Sequence, residues 1–467
     1  MTGGNKDIVQ LSDLRSYFEG GCKPASGLGV GLEYERFGVL GRSGVPESLA
    51  ALVTEPLAPG DALHFEGGIS IGAVFAGMIE RFGWELKCED GICIEMFRGP
   101  SRITLEPGMQ MELSGRVHRS MKDVEDELRG YLREVSAVSR PMGISWFAAG
   151  THPTAPLDRI PWLMKKRYAI MREYLPTRGR LAQNMMKGTC GTQVNLDYTD
   201  EADAMDKLRA SMMLSSLVTA MFANSPVTAG ARNGYLSERA AIWFETDPDR
   251  CGLLRFALEP GASFDDYIEY ALSVPMFFLA RGGRWIPMKG VTFRSFLENG
   301  HERERATLED WILHLTTLFP DVRVKTYIEV RATDSGPADL VLAHTALWKG
   351  ILYGGPDARR AAIAPLAKLS WEDHQRLHHD VAVHGLAADA GGRPALEAAR
   401  EIVSVAAAGL AAAGAADEAR YLEPLRAMVV ERGLTPAELL LEKLGPGGRI
   451  DKTRLIDLLA QEFSEQA

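Results

Sequence analysis

The chain has 467 residues, enough for a substantial core and for two or three domains' worth of sequence. Its 46% hydrophobic and 24% charged residues exclude a disordered chain or a coiled coil. A net charge of −10 leaves no basic field to hold nucleic acid or a membrane surface.

The opening MTGGNKDIVQLSDL lacks the basic start and apolar run of a signal peptide. No stretch reaches the roughly 18 uninterrupted apolar residues of a membrane span. Together these predict a soluble, cytoplasmic protein. Residues 8–20 read as an amphipathic helix, followed by a Gly-rich entry into a strand over Gly31–Gly38. Alternation in that strand puts Glu33 and Glu35 on one side and Leu32 and Tyr34 on the other. A helix is predicted over 67–82, then strands turning at Asp90–Gly91. Residues 103–113 form a second acidic strand region. If its pleat persists through Pro107–Gly108, Glu106, Gln110 and Glu112 share a face; the Pro-Gly pair can equally make a bulge or turn that breaks the register.

Residues 118–138 read as a long helix. Thr192–Asp197 is a third strand, with Gln193, Asn195 and Asp197 on its polar side. Val324–Arg331 is a fourth, placing Lys325, Tyr327, Glu329 and Arg331 together. His378, His379 and His384, in a helical region over 371–385, have no carboxylate or Cys framework and are assigned surface or capping roles. The Ala-rich run 386–418 reads as packed helices. Cys22, Cys88, Cys93, Cys190 and Cys251 are scattered without metal-ligand spacing, so reduced and mostly buried thiols are expected. Dinucleotide and Walker glycine signatures are absent, and the mixture of helices with short strands points to an antiparallel α+β fold.

Each polar strand alone reads as a solvated face. Together the four predict one sheet with a polar concave wall, costly to leave empty. Oxygen ligands without a His/Cys cluster favour a hard cation, Mg²⁺ or Mn²⁺. Carboxylates beside a lysine and an arginine suit a metal-bound polyphosphate, with ATP the natural guest.

The segments GLEYERFG (31–38), TLEPGMQMELSG (104–115), MMKGTCGTQVNLDY (185–198), MFANSPVTAGARNGYLSERAAIW (221–243), TDPDRCGLL (246–254), VTFRSFLENG (291–300), LFPDVRVKTYIEVRATDSGP (318–337) and LTPAELLLE (434–442) resemble, in order, the plant and proteobacterial type of glutamate–cysteine ligase. That family lies within the carboxylate–amine ligase superfamily. The resemblance implies a glutamine synthetase-like fold: a six-stranded, mainly antiparallel sheet curved into a funnel, with helices around it. It divides the chain into a ligase core over 1–337 and a mostly helical part over 338–467 packed on the core, as a monomer or homodimer. The implied reaction phosphorylates the side-chain carboxylate of glutamate from ATP and joins it to cysteine, making γ-glutamylcysteine for glutathione or a related thiol.

By matching positions, the resemblance assigns Glu33, Glu35, Glu106, Glu112 and Glu329 to the metal. Arg331, together with Glu329, falls to catalysis, Arg331 steadying the transferred phosphoryl group. Lys325, Gln193 and Asn195 join Arg331 at the nucleotide. Arg239 takes the α-carboxylate of glutamate, with Arg167, Asn233 and Trp243 as pocket walls. Two departures stand out: Gly188 replaces an arginine that related sequences usually carry, and Phe277 replaces a tyrosine of plant members. Both fall on the substrate side. They leave room for a sibling ligase that uses a different amine, and decay to a noncatalytic nucleotide-binding relative is the third alternative.

Overall fold

The computed structural model describes residues 10–52, 56–89, 92–447 and 450–460; the turn expected at Asp90–Gly91 lies outside them. Glu33 and Glu35 belong to β1 (Val30–Leu40), and one antiparallel sheet is assembled around this strand. Its other strands are β2 (Glu85–Glu89), β3 (Ile92–Arg98), β4 (Ser101–Leu105), β5 (Met111–Ser114), β6 (Ile144–Phe147), β7 (Gly191–Leu196), β14 (Val322–Val324) and β15 (Ile328–Asp334). The order is β14-β15-β7-β1-β5-β4-β3-β2, with β6 also paired to β1. With 11 residues, β1 is long enough to pair β7 and β5 along its first part and β6 along Phe37–Leu40. The sheet is mixed with helices as expected, but it has nine strands rather than six and stays open at β14 and β2.

Three short ribbons lie outside the sheet: β8 (Val227–Thr228) with β9 (Ala231–Arg232), β10 (Cys251–Gly252) with β13 (Phe319–Pro320), and β11 (Phe278–Arg281) with β12 (Arg284–Pro287).

Two segments that alternation makes single strands are hairpins. In the first, β4 and β5 are joined by a tight turn in which Glu106 N donates to Gln110 O at 2.9 Å and Met109 takes φ 67°. Gln110 accepts from Gly108 N at 2.7 Å and donates to Thr189 O at 2.9 Å, so its side chain braces the turn. A Cβ at Gly108 would lie 2.3 Å from Lys187 O, which is why the turn needs glycine there. In the second, Val324–Arg331 contains the bend between β14 and β15, closed by Lys325 N donating to Tyr327 O at 2.8 Å. The bend sets Arg323 directly opposite Glu329.

The apolar face of the sheet, with Leu32, Tyr34, Ile103, Leu113, Val194, Leu196, Ile328 and Val330, is buried and belongs to the main core. The chain's helices run α1 (Leu11–Glu19), α2 (Ile71–Phe82), α3 (Met121–Ser139), α4 (Lys166–Tyr174), α5 (Ala182–Gly188), α6 (Glu201–Met221) and α7 (Glu238–Phe244). Four short ones follow, α8 (Arg255–Leu258), α9 (Phe264–Ser273), α10 (Phe293–Asn299) and α11 (Leu308–Leu315), then α12 (Ala338–Tyr353), α13 (Gly355–Ile363), α14 (Trp371–His384) and α15 (Ala395–Ala412).

Helix α6 packs along β14 and β15, and α12 along β1 and β7. Helix α6 is buried nearly all round because α13, α14 and α15 close over it, which suits its run of Met, Leu and Ala. Asp200 caps its start by accepting from Asp203 N at 2.9 Å. Among the described residues no helix is long and apolar enough to cross a membrane.

The expectation of reduced, mostly buried thiols is corrected. Cys88, on the edge hairpin, is disulfide-bonded, while Cys22 is exposed, Cys251 half-buried and only Cys190 buried among the described free cysteines. The histidine assignment is corrected in one place: His379 and His384 are exposed, but His378 is buried.

Phe277 is also displaced from its expected role at substrate. Its ring is buried and lies 3.8 Å from the guanidinium of Arg250. Arg250 is itself fully buried and donates to Asp247 Oδ2 at 2.7 Å, Pro275 O at 2.7 Å and Thr317 O at 3.1 Å. Arg250→Met leaves the buried Asp247 carboxylate with Asp249 N at 3.1 Å and, as its cation, Arg178 at 3.6 Å. It is expected to lower the unfolding free energy by about 3 kcal/mol, read by urea denaturation. A change below about 0.5 kcal/mol would mean that the pair is not structural.

Candidate active site

The polar face of the sheet carries three charge groups, and only the outer two are neutralised from within. At the β2–β4 side, Glu95 pairs with Lys87 at 3.2 Å and with Arg102. Against the upward push of burial, first Arg102 and then Lys87 hold its carboxyl below the usual range. At the β14–β15 edge, Glu329 is fully buried and receives Arg323 at 2.7 Å, Lys325 at 2.9 Å and Arg331. Burial opposes ionisation there too, but Arg323, then Lys325 and Arg331, hold Glu329 well below the ordinary carboxylate range.

The middle group is different. The register puts Glu35 opposite Glu112, Glu112 opposite Thr104, and Thr104 opposite Glu95. Like charges directly opposite each other in a sheet are unfavourable. The hydrogen bonds to this group come from neutral donors. Glu35 accepts from Gly191 N at 2.6 Å and Gln193 Nε2 at 3.2 Å, Glu33 from Asn195 Nδ2 at 2.8 Å, and Glu112 from Thr104 Oγ1 at 2.7 Å. Burial, then Glu106, pushes the Glu35 carboxyl up to about 7, with Arg239 and Arg331 opposing. Burial, then Glu33, Glu106 and Glu35, holds Glu112 well above its ordinary range. Four carboxylates gathered on one face fit a divalent cation in their chemistry. Among the described residues, however, no three His, Cys, Asp or Glu side chains converge closely enough to form a ready-made metal site, so the group would have to draw together around an ion.

The sequence-derived site residues therefore separate. Glu33, Glu35, Glu106 and Glu112 act on one another, whereas both oxygens of Glu329 accept from cations. Gln193 links the two patches, donating to Glu35 and accepting from Arg331. Arg239, on α7, is buried and donates to Arg331 O at 3.1 Å. It passes so close to β7 that a Cβ at Gly191 would lie 2.5 Å from its Nη2. Trp243, one turn on, lines the same pocket with Arg331 and Phe319.

Asn233 does not belong to the pocket wall. Its amide donates to Ser225 O at 2.8 Å, Thr228 Oγ1 at 3.1 Å and Glu238 Oε2 at 2.9 Å, and accepts from Tyr235 N at 3.0 Å, which ties the β8–β9 ribbon to α7. Arg167, on α4, stacks at 5.1 Å on Tyr168, whose hydroxyl lies 3.4 Å from Leu105 O beside the Glu106 turn. Gly188 ends α5 outside the Arg239 pocket, and a Cβ there would meet only Leu157, at 3.7 Å.

Sequence reasoning missed Arg323 and His378. Alternation back from Lys325 places Arg323 on the polar face, but the bend at 325–327 has no Gly, Pro or Asn to announce it, so its position opposite Glu329 was hidden. His378 had no signal beyond its heptad-like spacing from Trp371.

Between the ordinary value of 4.5 and about 7, the folded chain holds a proton on Glu35 that the unfolded chain has released. This contribution to stability is therefore full at low pH and lost as pH rises through that window. The melting temperature is expected to fall from about pH 5 to about pH 7.5, and Glu35→Gln to flatten part of the fall. An equally steep profile in the variant would exclude Glu35 as a source.

Residues 30–460 match the family described as Glutamate-cysteine ligase family 2. The chain is 38% identical over 433 residues to the chloroplastic glutamate–cysteine ligase of Medicago truncatula, covering 92% of this chain and 81% of that one. It is 37% identical over 433 residues to that of Arabidopsis thaliana, covering 92% and 79%. In structure it is similar to the glutamate–cysteine ligase of Francisella tularensis in complex with AMP, with a TM-score of 0.54 at 13% identity over 94% of this chain and 89% of that one, a likeness of fold. The chloroplastic relatives overturn the expectation of a cytoplasmic protein, which had rested on the first residues and on the lack of a long apolar stretch. Matched from β1 to the last described helix, with more than a third of its residues shared with the plant enzymes, the chain belongs to glutamate–cysteine ligase family 2.

Proposed function

We propose that the chain carries out the reaction of its family, ATP-dependent joining of glutamate to the amine of cysteine to make γ-glutamylcysteine. The observation that carries the site assignment is the middle carboxylate group: among the described residues Glu33, Glu35, Glu106 and Glu112 form no ion pair, while three cations pair with Glu329 alongside. A carboxylate is a poor electrophile because its charge repels nucleophiles and oxide does not leave. Transfer of the γ-phosphoryl group from ATP to the side-chain carboxylate of glutamate removes both obstacles; the amine then attacks the acyl carbon and phosphate departs. Such a transfer asks the protein for alignment and charge neutralisation more than for covalent chemistry.

The four glutamates would hold magnesium, which would supply positive charge to offset the triphosphate. Arg331, steered by Gln193 and Glu329, presents its guanidinium to the transferred group. Lys325 stands beside it on Glu329, so Glu329 orients the two cations. Arg323 fixes Glu329 through both oxygens. Arg239, with Trp243 beside it, binds the α-carboxylate of glutamate.

ADP release, measured with glutamate and a panel of amines, is expected to depend on cysteine. Release with another amine alone would move the chain to a sibling reaction, and Gly188→Arg would then be expected to shift the preference back. Arg331→Met is expected to lower kcat on the order of a hundredfold with the fold intact. A near-normal rate would remove Arg331 from the phosphoryl step.

A further inference from the structure

Four buried polar atoms with no hydrogen-bond partner in the protein border one pocket: Arg239 Nε, Trp243 Nε1, Asp321 Oδ2 and His378 Nε2. Arg239 is 4% exposed and His378 8% exposed, so neither atom turns to bulk water. Burying such atoms without partners is costly, and their meeting at one place points to a polar molecule between them.

The four differ in what they can do. Arg239 Nε and Trp243 Nε1, both from α7, can only donate. Asp321, just before β14, can only accept when ionised; its main-chain carbonyl is fixed by Arg331 N at 2.9 Å. His378, from α14, has Nδ1 3.5 Å from Asp321 Oδ2 and 3.3 Å from Ser216 Oγ. With the Nδ1 proton donated to Ser216 Oγ, Asp321 Oδ2 stays open and the lone pair of Nε2 faces the pocket. Burial lowers the His378 pKa, with Asp321 opposing, in keeping with a neutral ring. Donors thus come from one helix and acceptors from two other segments. Phe244, Phe319 and Pro320 supply the apolar wall, and Arg331 borders the same space. An α-amino acid head group, a carboxylate and an ammonium on one carbon, satisfies this set, and its side chain then extends toward Arg331.

We infer that Asp321 and His378 bind the ammonium of the acid substrate and make the pocket select an α-amino dicarboxylate over the same dicarboxylate without the amine; this rests on the reading above that Arg239 holds the α-carboxylate. Both are specificity-determining residues, and neither takes part in phosphoryl transfer.

The test uses the full chain and compares the KM for glutamate, the competitive inhibition constant of glutarate, which lacks the amine, and the KM for ATP. In Asp321→Asn the glutamate KM is expected to rise roughly tenfold or more, while the glutarate constant and the ATP KM stay within about twofold. Parallel weakening of glutamate and glutarate, or no change in a variant with an unaltered melting temperature, would overturn the inference and leave a pocket that holds water only. Should Asp321→Asn not fold, His378→Phe reads the same ratio and decides in the same way. Arg239→Lys serves as the control and is expected to weaken glutamate and glutarate together. If it weakens neither, the underlying reading of Arg239 fails; if it weakens both while the ratio in Asp321→Asn is unmoved, only the ammonium assignment fails.

Discussion

The repulsion between Glu35 and Glu112 across the β1–β5 pairing is the constraint on which the rest of this active face depends. A sheet tolerates facing carboxylates when something else stabilises the arrangement, and the flanks show how this chain does it elsewhere, with Lys87 and Arg102 on Glu95 and with three cations on Glu329. In the centre the hydrogen bonds to the carboxylates come from amides, a hydroxyl and a backbone N–H, and Arg239 and Arg331 act on Glu35 without an ion pair. The folded chain therefore carries an electrostatic debt that a divalent ion and a polyphosphate can relieve together, which couples ligand binding to the stability of the sheet.

That coupling needs a stiff support. The opposite face of the same strands lies in the core beneath α6 and α12, and Tyr34, next to Glu33 and Glu35, donates its hydroxyl to Gly336 O at 2.9 Å at the entrance to α12. The helices after residue 337 thus hold the sheet from behind. One of them, α14, also reaches round to the pocket through His378. The pocket wall joins α6, α7, β13, β15 and α14, so an account confined to the acidic strands describes only part of it.

Much of this was legible in the amino-acid order, for a physical reason. Alternation in β1 and β7 is strict because one side is core and the other faces solvent or ligand, and the positions of Glu33, Glu35, Gln193 and Asn195 followed from it directly. The failures also have causes. Residues 324–331 keep their alternation across a bend, so period alone joined two strands into one and concealed Arg323, whereas at 103–113 the Pro107–Gly108 turn was one of two readings left open. Asn233 and Phe277 lie in segments whose resemblance was clear, but the amide is consumed by its own loop and the ring by Arg250. Packing partners distant in sequence decide such cases, and a linear pattern does not encode them.

The turn that carries Glu106 has one more consequence. Gln110 reaches from it to Thr189 O, and Gly108 lies against Lys187 with no space for a side chain, so the acidic wall and the loop bearing Gly188 are laced together. A shift of residues 187–189 would carry the Glu106 turn with it, so variation among related enzymes at 187–189 should be answered by variation at 106–110.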